Sequence, residues 1–258
     1  MIKLVEGDMD RVPALFAAAK SVAGPVPLWG VYSVQIFNGK GASLENEVVQ
    51  AKAMIDQAIK SSISFFVYGT VERGGDQRSW DNKTTVPHFQ GKLETERHLR
   101  DSVSRAGSTM KWTILRPVIY WDNLGPDFGS SVFLTMFRDV VKDTPVQWVA
   151  TKDIGVAASE AFHNPDEWNG KGIGIVSQVL TFSEMNETFQ KVVGKPLPTT
   201  FKLLGRALKG GLFPGLPEYG KMCEWFNAEG FNADLELNRK FNPRPMTFES
   251  WLRQSKFV

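Results

Sequence analysis

Two hydrophobic periods take turns along the 258 residues. Lys3-Leu4-Val5 reads as a short strand running into Gly7-Asp8-Met9-Asp10, after which Val12, Leu15, Phe16 and Ala19 recur at helical spacing. Gly24, Pro25 and Pro27 break the chain. Val31 to Phe37 is β-rich and almost continuously apolar, as a strand buried on both faces of a parallel sheet would be. Ser43 is placed to cap the next helix, with Glu45 and Glu47 in its first turns and Val48, Ala51, Ile55, Ala58 and Ile59 as the buried face. Ile63 to Tyr68 gives another strand, followed by Gly69-Thr70 and the loop Glu72-Arg73-Gly74-Gly75.

A helix starting near Pro87 runs to about Ala106, where Gly107 stops it, and Lys111 to Leu115 is the next strand, ending at Arg116-Pro117. Residues 129–142 have a helical pattern and Val146 to Val149 a strand pattern. Asp153 is expected to cap a helix through Phe162, ended by Asn164-Pro165. Gly172 to Val176 is a short strand, and Thr181-Phe182-Ser183-Glu184 has the form of a capping box before a helix closed by Gly194. Strand and helix alternate throughout, which predicts an α/β fold with a mainly parallel sheet joined by right-handed crossovers. From Pro196 the alternation stops. Proline and glycine cluster between residues 196 and 220, and short helices are expected near 201–209, 218–229 and 247–254. The chain therefore divides into a sheet domain over 1–195 and a small, mostly helical C-terminal lobe over 196–258.

Composition changes this picture little. At 42% hydrophobic and 22% charged residues the chain is globular and long enough for a substantial core. A net charge of +2 without any Lys/Arg block gives no electrostatic reason to invoke nucleic acid. One cysteine, Cys223, excludes an internal disulfide; beside Trp225 and Phe226 it reads as a packing residue. No apolar run reaches the ~20 residues of a membrane span, and the start lacks a signal-peptide core, so an intracellular protein with no membrane partner is expected.

In an open parallel sheet, ligands sit beyond the carboxyl ends of the strands. That rule selects Asp8 and Met9, Phe37 and Asn38, Gly69 and Thr70, and the stretch Arg116 to Asn123. His88 and Lys92 belong with them. They stand four residues apart near the start of the Pro87 helix, an end whose dipole favours anions rather than two basic groups, so a ligand phosphate or ribose would explain them. The plainer alternative is a solvated face, because Lys92, Glu96 and Arg100 also form an i,i+4 charge ladder. The three histidines lack metal-ligand spacing, so no metal site is expected. No Gly-x-Ser-x-Gly elbow, Walker lysine or Gly-x-Gly-x-x-Gly loop occurs.

Several segments, in order, resemble the NmrA-like branch of the atypical short-chain dehydrogenase/reductase superfamily. Val5-Glu6-Gly7-Asp8-Met9-Asp10 is similar to its third strand and acidic turn, and Phe66-Val67-Tyr68-Gly69-Thr70 to its fifth strand. Val86-Pro87-His88-Phe89 with Lys92 and Glu96 resembles its lysine helix, and Trp112 to Pro117 with Asn123 its sixth strand. Asp153-Ile154-Gly155, Trp168 to Lys171 and Leu180-Thr181-Phe182 follow in register, and Met222 to Leu252 resembles its closing aromatic segment.

The resemblance implies a Rossmann-like fold that binds NADP(H), with Lys92 on the nicotinamide ribose, Asp8 and Met9 near the adenine, and Phe37, Asn38, Tyr120 and Asn123 around the nicotinamide end. The superfamily's reducing enzymes place a Tyr four residues before the Lys, supported by a Ser. Those positions correspond here to His88 and Thr70, so His88, Lys92 and Thr70 are the candidate catalytic set. A tyrosine works there because the ammonium lowers its pKa; an imidazole needs no such help and is biased toward neutrality by the same charge. The departure points toward the family's cofactor-sensing, transcription-related regulators with a protein partner, cytoplasmic or nuclear. The other reading is an NADPH-dependent oxidoreductase or isomerase acting on a small aromatic metabolite held by Phe37, Tyr120, Trp121 and Phe128. The family's first two strands and glycine loop would precede residue 1. Either the chain is an incomplete version, or it is a remnant whose Lys3–Val5 strand pairs with the following strand or with another chain, as in a homodimer. Weak dinucleotide binding is expected in both cases, because the loop's N–H groups hold the pyrophosphate.

Overall fold

The computed structural model describes residues 2–35, 43–200 and 216–258. In chain order these form α1 (Val12–Ala23), β1 (Gly30–Ser33), α2 (Leu44–Lys60), β2 (Phe65–Gly69), α3 (Pro87–Arg105), β3 (Lys111–Pro117), β4 (Ile119–Tyr120), α4 (Phe128–Met136), β5 (Val146–Val149), α5 (Thr151–His163), α6 (Pro165–Trp168), β6 (Lys171–Ile175), β7 (Gln178–Leu180) and α7 (Phe182–Val193). Three more helices follow, Leu216–Ala228, Leu235–Phe241 and Phe248–Leu252. One sheet has the order β1-β2-β3-β6, with β1/β2 and β2/β3 parallel; a smaller one has the order β4-β5-β7. The protein is therefore α/β with a parallel Rossmann-like sheet.

Two compact units can be distinguished. The first comprises Met1–Thr70, His88–Arg116 and Ala158–Ile173. In it every residue of β2 is buried, which explains its unbroken apolar sequence. The Phe65 ring meets Phe162 edge-on at 5.7 Å. Gly30 is required beside them, because a Cβ there would lie 2.9 Å from the Phe162 ring. Ser43 caps α2 by accepting from the Asn46 N–H (3.0 Å). That helix turns Glu47, Ala51, Met54, Ile55 and Ala58 inward.

The second unit comprises Val71–Pro87, Pro117–Ala157 and Gly174–Val258. The Trp121 ring is fully buried here, 5.6 Å from Phe248 and 6.3 Å from Trp251. Trp225, Phe226 and Phe231 form a second aromatic cluster. Glu72 is buried and accepts from the N–H groups of Gly74, Gly75 and Asn232, which ties the loop after β2 to the chain near residue 232.

Two expectations need correction. Lys3-Leu4-Val5 makes no strand: Ile2 and Leu4 are 92% and 94% exposed, and only the Lys3 ammonium is engaged, donating to Val22 O. An isolated strand has no ladder to stabilise it, so a short apolar stretch alone does not make one. The helix expected over 129–142 forms, α-helical over Phe128–Met136 and continued by a π turn over Phe137–Val141. Asp153 is not an N-cap. The α5 helix begins two residues earlier, and the Asp122 carboxylate accepts from both the N–H and the hydroxyl of Thr151. Asp153 is instead a buried acceptor for the Ser177 hydroxyl, the Asn242 amide and the Met246 N–H. The Thr181–Glu184 capping box forms as expected, and Gly194 closes α7 in the left-handed conformation. The helix expected near 201–209 lies outside the described residues.

Candidate functional site

Lys92 is carried on α3, one turn in from Pro87, and its ammonium is drawn inside the first unit rather than into solvent. Nζ lies 2.5 Å from Glu47 Oε1 and donates to the Gln35 carbonyl at 2.8 Å, just past the carboxyl end of β1. It also stands 5.8 Å from the centroid of the Tyr68 ring. Burial lowers the pKa of Lys92, while the Glu47 carboxylate beside it, and more weakly Glu96, oppose that shift. Beyond the ion pair with Lys92, neither carboxylate oxygen of Glu47 has a hydrogen-bond partner among the described residues, and the same holds for the buried Gln35 Oε1, whose amide nitrogen donates to the Ser33 hydroxyl.

The next turn of α3 repeats the arrangement with the polarity inverted. Glu96 and Arg116 are both fully buried and joined by Arg116 Nη2 to Glu96 Oε2 at 2.8 Å, with Nε donating to Oε1 at 3.2 Å. Thr70 Oγ1 donates to Glu96 Oε1 at 2.6 Å. The Tyr68 hydroxyl donates to Thr95 Oγ1, and its pKa is raised, chiefly by burial and further by the charges of Glu47 and Glu96. A phenol in that state stays protonated at neutral pH and is a poor proton donor.

The other expected residues are placed as follows. His88 is half-buried with its ring edge-on to Phe89 at 4.6 Å. Asp8 is exposed and accepts from the Asp10 N–H, capping the short turn that holds the half-buried Met9. Tyr120 is half-buried at the end of β4 and Asn123 exposed in the turn after it, in the second unit. Phe37 and Asn38 lie outside the described residues. Of the supposed aromatic wall, Trp121 belongs to the core and only Phe128 is strongly exposed, at 56%. Among the described residues no cluster of metal-ligating side chains exists.

Sequence reasoning missed Glu47, Gln35 and Tyr68. A signal for Glu47 was present, because it falls four residues before Ala51 and eight before Ile55, on the face of α2 that must be buried. A carboxylate at such a position needs a cation.

A parallel sheet whose strand ends meet a buried lysine on the following helix defines the class: a Rossmann-type α/β protein with a polar site at the carboxyl edge of its sheet. The chain belongs to the NmrA-like family, whose model matches residues 2–252. An NmrA-like family domain-containing protein of Dictyostelium discoideum is 22% identical over 162 residues. That alignment covers 61% of this chain and about half of the relative, 53%. The fold is shared with the Citrobacter sp. triphenylmethane reductase complexed with NADP(H) (TM-score 0.67, 15% identity, 98% of this chain and 83% of that one). It is shared too with an NADPH-dependent quinone oxidoreductase of Escherichia coli (0.66, 16%, 98% and 82%). NmrA, a negative transcriptional regulator in complex with NAD, gives 0.65 at 15% identity, with 98% and 80% covered. No described helix is long and apolar enough to cross a membrane.

Proposed function

We propose that this protein is a dinucleotide-responsive regulator of the NmrA type that holds NADP(H) without turning it over. The observation that carries the reading is the set around Lys92. A ribose hydroxyl both donates and accepts, and the set offers the Lys92 ammonium as donor beside the unpartnered acceptor Glu47 Oε2. That donor and acceptor match a ribose hydroxyl in kind, and Lys92 and Glu47 would bind and orient the sugar next to the nicotinamide. The nicotinamide, when bound, would supply a hydride.

What the chain lacks is a partner for that chemistry. The Lys92 charge is compensated at 2.5 Å by Glu47, so the pair carries no net charge with which to lower the pKa of a donor beside it. Thr70 is engaged by Glu96 and Tyr68 by Thr95, and His88 stands where the superfamily's reducing enzymes carry tyrosine. The structural likeness to NmrA, a negative transcriptional regulator, supports a role in transcriptional control. The likeness to two reductases supports the second reading, an NADPH-dependent enzyme acting on a small aromatic compound.

Isothermal titration with NADPH tests the first reading. Saturable binding is expected, weakened by Lys92→Met. No saturable binding, or binding that Lys92→Met leaves unchanged, would overturn it.

A further inference from the structure

An ammonium carries three donors, and those of Lys92 are used unequally. The ion pair with Glu47 at 2.5 Å and the bond to the Gln35 carbonyl at 2.8 Å occupy two, which fixes the direction of the third. That third N–H has no acceptor among the described residues. The ammonium also lies over the face of the Tyr68 ring, 5.8 Å from its centroid. A ring face attracts a cation through its quadrupole, and at that distance it takes up no N–H. The phenol oxygen, which could accept one, is engaged elsewhere. It donates to Thr95 Oγ1 at 2.9 Å, and Thr95 Oγ1 donates to the Lys92 carbonyl at 2.9 Å. The ring is thereby pinned to the turn of α3 that carries Lys92, and it is fully buried.

We propose, resting on the dinucleotide reading above, that Tyr68 is a positioning residue: its ring face holds the Lys92 ammonium while leaving the third N–H for the ribose hydroxyl. A polar side chain in place of the ring would also stabilise the charge, but it would accept the N–H that the ligand needs. An aliphatic one would leave the N–H free and give the charge nothing. Tyr68 therefore acts through Lys92 and needs no contact with the ligand. Its hydroxyl serves as an anchor, so phenylalanine suffices at this position, and the property that matters is the negative face of the ring.

Tyr68→Phe, followed by difluoro- and pentafluorophenylalanine at position 68 of the full chain, keeps the shape of the ring and removes its negative face stepwise. In urea the pentafluoro variant should be less stable than Tyr68→Phe at pH 7, and this deficit should narrow as pH rises toward 10. The ring favours only the charged lysine, whose folded pKa lies below 10.5, so its contribution is present below that pKa and lost above it. Glu47 on α2 and Glu96 on α3, the carboxylates that act on the ammonium, are the same in every variant. Titration with NADPH should give Tyr68→Phe the affinity of the wild type and the pentafluoro variant an affinity about two- to fivefold lower. If the pentafluoro variant fails to fold, the difluoro variant decides. A deficit that does not change with pH, or equal affinities along the series, overturns the proposal alone. A wild type that shows no saturable binding overturns the dinucleotide reading and the proposal with it.

Discussion

The Nζ of Lys92 and Oε1 of Glu47 meet at 2.5 Å, both side chains at least nine-tenths buried, on two helices 45 positions apart in sequence. Neither charge is tolerable there without the other. Glu47→Ala should therefore cost about 3 kcal/mol of stability at pH 7, read as a lower urea midpoint with an unchanged slope. The loss should depend on pH in a defined sense. Burial already sets the folded pKa of Lys92 below the ordinary 10.5, so between the two values the unfolded chain binds the extra proton and stability rises with pH. Removing Glu47, the main group opposing that shift, widens the window downward. The deficit of the variant against wild type should narrow as pH rises from 7 toward 10; a deficit that does not change with pH would speak against the pair.

The Glu96–Arg116 pair is buried on both sides and predicts a different pattern. Glu96→Gln leaves a guanidinium inside with its charge uncompensated and should cost about 3–5 kcal/mol. Replacing both residues together, Glu96→Leu with Arg116→Met, should recover most of that loss. A thermodynamic cycle on the three variants measures the coupling.

Gly172 lies against the same guanidinium. A Cβ at that position would sit 2.6 Å from Arg116 Cζ, with both terminal nitrogens within 2.8 Å. Because Glu96 holds the guanidinium, the neighbour cannot yield cheaply, and Gly172→Ala should destabilise by about 1–3 kcal/mol. In the background lacking both Glu96 and Arg116 the same substitution should be almost silent.

Cys223 is buried, and its thiol is pushed up to about 12, first by desolvation and then by the charge of Glu224. The thiolate is the reactive form. In the native protein at pH 8 a disulfide-exchange reagent should label it at least about 100-fold more slowly than in urea, where one equivalent should react at once.

Much of this fold could be read from the sequence wherever one residue type dictates one geometry. The unbroken apolar run of β2 demanded burial on both faces, Ser43 and Thr181 marked helix starts, and Gly194 marked an end. Local signals failed where the deciding partner is distant in the chain. Asp153 looked like a cap because nothing nearby announced Ser177, Asn242 and Met246. Lys3-Leu4-Val5 reads as a strand because a short apolar stretch says nothing about whether a neighbouring strand exists. At the candidate site, His88 and Lys92 stood out for being basic at the wrong end of a helix. Glu47 was read as an ordinary first-turn acid, although its place on the inward face of α2 marked it as half of a buried pair.

The proposed regulator requires the Lys92 charge to be spent on Glu47, leaving no activated proton donor beside a bound dinucleotide. The direct test is consumption of NADPH, followed by its fluorescence with a quinone acceptor present, at concentrations several times the dissociation constant found by titration. The account predicts a rate indistinguishable from that without protein. A protein-dependent rate that saturates with NADPH and disappears in Lys92→Met would contradict it.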